Sequence, residues 1–313
     1  MKKTLFVLIV ACMFANSAFA QDKLVEVVNS DQIFQKGYIQ VIGESESGQS
    51  RYRAKRAAEV VAQKRLLEIF QGLTLSGETT VQDGMLSSET IKTKVAGTLR
   101  GATPCGEAFD RTEGYARVCL RLNLHGNDSV YSSFKDIIVN NPNELKVREM
   151  PAFVPASIPA VLPPTETIPT ADEKVEVPVK TEKETPAAAP VVKVAPVVAV
   201  VNVDGIIVDV RNFDFKPALV NRILTENNEV LFDPSKVLNQ VLIERGCGGY
   251  TTDLQKAKAL LESWGSKSPM ILHGKTVQNV TDAVVSSDDA TALFAYDQKF
   301  NILAQAKVVF VLK

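Results

Sequence analysis

The chain has 313 residues, of which 45% are apolar, 23% charged and 7% aromatic. That apolar share is enough to build real cores and excludes wholesale disorder. Lys and Arg number 35 against 36 Asp and Glu, so no global basic charge points to nucleic acid as a partner. Two histidines and four cysteines exclude a His-rich metal centre and a disulfide-dense scaffold.

Residues 1–20 have the layout of a secretory signal peptide. Lys2 and Lys3 form a positive start, Leu5 to Phe14 a short apolar core, and Ala18-Phe19-Ala20 a small-residue cleavage signal ahead of Gln21. The apolar run is too short to remain as a spanning helix. Ile9-Val10-Ala11-Cys12 also fits a lipoprotein cleavage box, so the alternative product is an outer-membrane lipoprotein held through Cys12. Cleavage between Ala20 and Gln21 removes two lysines and no acid, leaving 33 basic and 36 acidic residues. The expected location is the periplasm, an oxidising compartment in which thiols pair.

Proline divides the rest of the chain. Ten of the fifteen prolines fall between Pro151 and Pro196, in a stretch that mixes Lys with acids and contains no glycine. Such a segment is expected to be an extended, stiff tether over residues 149–200. The predicted architecture is therefore α+β: two small mixed domains, 30–148 and 201–313, joined by a proline-rich linker.

In the first domain Tyr38 to Gly43 reads as a strand and Ser50 to Gln71 as a helix. Ala54, Ala58, Val61, Ala62, Leu66, Ile69 and Phe70 recur at three- and four-residue spacing, and the alanines at its start allow close approach to a sheet. Leu73 to Val81 and Ile91 to Leu99 read as strands. Tyr115 to Leu124 alternates, with Ala116, Val118, Leu120, Leu122 and Leu124 on one face. It pairs with an arm around Thr103 to Phe109 across a turn at Asp110 to Gly114. A helix over Asp128 to Val139 closes the domain. In the second domain Val203 to Val210 is a buried-looking strand and Ile223 to Leu231 holds a turn at Glu226 to Glu229. A helix capped by Thr252 runs from Asp253 to Trp264. Strands cover Pro269 to Val277, Val280 to Val285 and Lys307 to Leu312, and Ser287 caps a helix from Asp288 to Phe294.

Cys105 and Cys119 flank the predicted turn symmetrically, so a simple hairpin sets them opposite each other within disulfide reach; the alternative is two separate buried thiols. Cys247, between Gly246 and Gly248, reads either as a buried small residue or as the source of an intermolecular bridge. His125 and His273 lie in different domains and have no neighbouring ligand spacing, so they read as strand residues. No nucleophile elbow, zinc-protease or phosphate-loop motif occurs. Gly43 to Gly48 reads as a flexible strand-to-helix connection. Arg51, Arg53, Lys55 and Arg56 read either as a solvated helix face or as a surface for an anionic partner such as lipid or peptidoglycan. No catalytic residue, metal or cofactor is expected.

The run Gly37-Tyr38-Ile39-Gln40-Val41-Ile42-Gly43, followed by Ala54, Ala58, Val61, Ala62, Arg65, Leu66, Ile69 and Gly72, resembles the strand–helix signature of the twenty-kilodalton outer-membrane lipoprotein family. The flagellar protein FlgP and the N-terminal domain of FlgT share that look. The segments from Gly205 to Arg211, Lys216 to Leu219, Arg222 to Leu224 and Val284 to Ala290 resemble a companion domain of periplasmic proteins. The resemblance implies a cell-envelope protein linked to flagellar assembly, and it transfers no active site. The expected function is a non-enzymatic structural or assembly component with envelope or flagellar proteins and its own copies as partners. The alternative is a binding module for peptidoglycan, lipid or another envelope component.

Overall fold

The structure, a computed structural model, describes residues 24–157 and 202–313. The signal-peptide reading, with Cys12, Ala20 and Gln21, lies outside the described residues, as does the linker reading beyond residue 157. Mixed helices and sheets in two domains match the expected α+β class.

The first domain runs α1 (Ser30–Lys36), β1 (Tyr38–Glu44), α2 (Arg51–Gln71), β2 (Thr74–Ser76), β3 (Thr79–Thr80), α3 (Val81–Ser87), α4 (Glu89–Arg100), β4 (Thr103–Asp110), β5 (Tyr115–Asn123) and α5 (Val130–Asn140). Strands β1, β5 and β4 form an antiparallel sheet in that order. The alternation in β5 turns Ala116, Val118, Leu120 and Leu122 into the core, against α2. The buried stripe of α2 is Ala54, Ala58, Ala62, Leu66 and Phe70 at four-residue spacing, and Val61 is exposed. The helix lies unusually close to β1. A Cβ on Gly43 would stand 2.0 Å from the Ala58 carbonyl oxygen and 2.3 Å from the Ala62 nitrogen. Two backbones meet here with only a glycine and alanines between them.

The connection from β1 to α2 is pinned rather than flexible. Gly48 N–H donates to the Glu113 carbonyl at 2.7 Å and Gln49 N–H to the Gly114 carbonyl at 3.0 Å, which ties it to the β4–β5 turn.

Residues 91–99, expected as a strand, are helical. Their β-branched content suggested extended chain, but the local hydrogen-bonding groups decide otherwise. The Ser88 side chain accepts from the Ile91 N–H and starts α4, while Thr80 and Asp83 form a reciprocal capping box that starts α3. Ile91, Val95 and Thr98 then bury one helical face. The expected strand over 73–81 shrinks to the β2–β3 hairpin, and its last residue, Val81, opens α3.

The second domain contains β6 (Gly205–Asp209), β7 (Arg222–Thr225), β8 (Val230–Phe232), α6 (Asn239–Arg245), β9 (Gly249–Thr251), α7 (Leu254–Ser263), β10 (Pro269–His273), β11 (Thr276–Gln278), β12 (Asp282–Val285), α8 (Ser287–Phe300) and β13 (Val308–Val311). One sheet is wholly parallel in the order β10-β6-β13-β9; the other, β11-β12-β7-β8, is mixed. The strands of the parallel sheet are apolar on both faces because both are covered. Asp253, not Thr252, caps α7 by accepting from the Gln255 and Lys256 N–H groups. Ser286, not Ser287, caps α8, which runs six residues further than expected, to Phe300. Val280 belongs to the β11–β12 turn at φ +66°, not to a strand.

The linker expected from residue 149 begins later. Val230 N–H donates to the Pro151 carbonyl at 2.7 Å, Phe153 N–H donates to the Val230 carbonyl at 2.9 Å, and the Phe153 ring packs edge-on to Phe294. Residues 151–153 are thus an added strand-like edge on the second domain. Nor do the two domains stand apart: a single apolar core runs through both of them. A tether that sets a distance between two separate bodies does not fit this arrangement.

The expected bridge joins Cys105 and Cys119, with a Cα–Cα separation of 5.1 Å. The pairing is not simple opposition, because β4 carries a bulge between Pro104 and Gly106 and it is Gly106 that pairs with Cys119.

Gly43→Ala should therefore cost at least about 3 kcal/mol in urea unfolding, since neither backbone can retreat without repacking the sheet. By contrast Gly97→Ala in α4, where an added methyl meets nothing within 4 Å, should be neutral or stabilise by up to about 1 kcal/mol. Unreduced peptide mass spectrometry should find Cys105 joined to Cys119, and reduction should lower stability by about 3 kcal/mol; two free thiols in the unreduced protein would refute the pairing.

Candidate functional site

The seam between the domains gathers the most unusual buried polar groups among the described residues. Its hub is the loop from Lys216 to Asn221, which enters from the second domain. Leu219 N–H donates to the Thr74 carbonyl at 3.0 Å and Val220 N–H to the Leu75 carbonyl at 2.8 Å, so the loop adds itself to β2 of the first domain. Asn221, fully buried, fixes the loop's shape with all its capacity engaged. Its Oδ1 accepts from Ala218 N–H at 2.7 Å and from the Tyr250 hydroxyl at 2.5 Å. Its Nδ2 donates to the carbonyls of Lys216 and Thr281 at 3.1 and 2.7 Å.

The Leu219 carbonyl receives two further donors, the Tyr131 hydroxyl at 3.2 Å from the first domain and the Cys247 thiol at 2.8 Å from the second. Burial drives both the Tyr131 hydroxyl and the Cys247 thiol far up from their ordinary values, so both stay protonated and act as donors. Enclosure also settles the two readings of Cys247: the thiol is a buried packing group, out of reach of an intermolecular bridge.

His125 is the second unusual group. Its ring stacks on Tyr131 at 5.2 Å with the planes 8° apart. Gly246 permits this approach: at φ +70° it has no Cβ, and one placed there would fall 2.5 Å from the Tyr131 ring. The adjacent Gly126 N–H donates across the seam to the Ile243 carbonyl at 2.8 Å. Nδ1 of His125 is the one buried side-chain polar atom among the described residues with no hydrogen-bond partner. Desolvation lowers its pKa from the ordinary 6.5 to about 4, so the imidazole is neutral at physiological pH. His273 is remote from it, at the exposed end of β10 in register with Asp209.

At one end of the seam a polar cleft of about 340 Å³ opens between the domains. Its floor is a buried ion pair, with Arg222 at 2% and Asp282 at 1% side-chain exposure. They are register partners on the neighbouring parallel strands β7 and β12. Arg222 donates through Nε to Asp282 Oδ1 at 3.2 Å and through Nη2 to Oδ2 at 2.7 Å. Nη1 donates to the Arg148 carbonyl at 2.7 Å, and Asn279 Nδ2 reaches Asp282 Oδ2 at 3.0 Å. The β2–β3 turn and the residues leaving α5, among them Lys146 and Arg148, form the opposite wall.

The basic cluster on α2 lies away from this seam, beside β4. Arg51 and Lys55 both pair with Glu107, Arg51 at 3.7 Å, and Arg56 pairs with Glu59 at 2.7 Å. Lys55 holds the Glu107 carboxyl below its usual range. Arg53 has no ion pair among the described residues. Much of the charge that the sequence displays on this helix is thus offset by the protein's own acids. Among the described residues no group of three or more His, Cys, Asp and Glu is placed to hold a metal ion, and no helix is long and apolar enough to cross a membrane.

Residues 205–313 match the family model for the second domain of Treponema pallidum Tp0624. The match begins at the first residue of β6 and includes nothing of the first domain. No curated protein matches the chain.

The lowered pKa of His125 sets a pH dependence. The unfolded chain takes up a proton near pH 6.5 and the folded chain only near pH 4. Stability is therefore complete above about pH 6.5 and falls as the pH drops towards 4, by an amount on the order of 3 kcal/mol. Denaturant titrations across that window should show this loss, and His125→Phe, which keeps the stack on Tyr131 without a titratable nitrogen, should flatten it. An unchanged pH profile in that variant would remove His125 as the cause.

Proposed function

We propose that the protein is a non-enzymatic structural or assembly component of the bacterial cell envelope, exported to the periplasm. The observation that carries this reading is the single core running through both domains, which makes them one block that can present fixed surfaces to other proteins. The exported-protein layout of residues 1–20 and the Cys105–Cys119 bridge are consistent with an oxidising compartment. The likeness of the β1–α2 unit to flagellar envelope modules supports a role near the flagellar motor, in a periplasmic ring or disk. Strand β4 supports self-association or docking, because it is the last strand of its sheet.

A deletion strain tests the proposal. Cryo-tomography of its motors should show missing or reduced envelope disk density, with impaired swimming that the full-length gene restores. Intact disks and normal swimming would refute the flagellar role. Sedimentation of the purified protein with peptidoglycan or anionic vesicles, weakening steeply with salt, would instead favour a binding module.

A further inference from the structure

The cleft between the domains has more positive donors than the fold consumes. A guanidinium carries five N–H donors. Arg222 spends three of them, two on Asp282 and one on the Arg148 carbonyl, leaving one N–H on each terminal nitrogen beside the cleft. Lys146 and Arg148 line the same space, and neither has a carboxylate within ion-pair distance among the described residues. Ser76 and Thr79 add hydroxyls to the wall. Against these stands Glu78, the one lining acid not tied into the Arg222–Asp282 pair.

Keeping a buried arginine–aspartate pair in place of apolar packing is costly, and such pairs are often matched or bettered by hydrophobic replacements. Here the pair and the Arg148 carbonyl hold the guanidinium in the lining of an open cleft with two N–H donors unspent. We infer that this cleft binds a small oxyanion, a carboxylate or phosphate group, clamped between Arg222 from the second domain and Lys146 and Arg148 from the first. Both candidate groups offer several acceptor oxygens to charged N–H donors, the strongest class of hydrogen bond available to them. Because the clamp has residues from each domain, the bound anion would also brace the seam. The inference stands independently of the envelope-assembly reading.

The test is thermal unfolding and calorimetric titration of the mature chain at constant ionic strength, with chloride as reference. Inorganic phosphate and acetate are the two probes. The expected result is a saturable rise in melting temperature with at least one of them: phosphate alone identifies a phosphoryl ligand, and acetate alone a carboxylate. Lys146→Gln with Arg148→Gln, both exposed and outside the core, should weaken that binding about tenfold or more. Glu78→Gln should strengthen it, and Arg53→Gln on the distant α2 face should leave it unchanged. No saturable response to either probe overturns the inference. So does a Lys146/Arg148 double variant that responds like the wild type, or a Glu78 variant that binds more weakly.

Discussion

Leu219 is joined to the first domain through both of its backbone groups, and much of the architecture depends on that junction. Its N–H completes the edge of β2, and its carbonyl gathers the hydroxyl of Tyr131 and the thiol of Cys247. A hydrogen bond of this kind nets only about 1 kcal/mol, but a buried donor left without a partner loses 1–3 kcal/mol, roughly. The seam therefore resists partial opening: pulling the loop from β2 strands the Tyr131 hydroxyl and two amides together. Asn221 makes this possible by holding the loop in shape before it meets the first domain. Aromatic packing continues the same junction. Phe34 of the first domain meets Tyr250, which stacks on Phe310, which stacks on Phe215, with centroid separations between 5.1 and 5.7 Å.

Within the first domain the corresponding constraint is the contact of α2 on β1. Bulky side chains normally hold a helix and a sheet apart; here Gly43 faces Ala58 and Ala62, and the backbones nearly touch. The cost is a core with little apolar volume at that point. The compensation lies further along the helix, where Leu66 and Phe70 fill a wider gap and Phe70 packs edge-on to Phe134 of α5. The disulfide then staples the outermost strand of the same sheet, whose residues are otherwise mostly exposed.

Much of this local order was legible in the residues. The alternation of β5 and the alanine stripe of α2 are periodic signals that depend on near neighbours, and near-symmetric spacing about a turn was enough to pair Cys105 with Cys119. The segment from Ile91 to Leu99 misled because β-branched residues favour strands on average, while one serine hydroxyl at position 88 starts a helix. The seam was invisible for a different reason. Leu219 meets Thr74 and Gly126 meets Ile243 across more than a hundred residues of sequence, and nothing in the local pattern of either partner marks it. His125 read as an ordinary strand residue, since only the fold reveals an imidazole nitrogen without a partner. The α2 cations were legible as residues but not as charges already paired, because Glu107, which neutralises two of them, lies on β4, far along the chain.

The position of the proline-rich connection changes meaning once the seam is known. It leaves after residues that pair with β8 and returns just ahead of β6, so both of its ends belong to one block. Closing a loop of that length adds little to the entropic cost of folding, since each doubling costs only about 0.6 kcal/mol. The block does not need a short connection, and no distance between its domains is left for a stiff one to set. The nine prolines after residue 153 and a dense mixture of lysine and acid are therefore unexplained by the joining of the two halves.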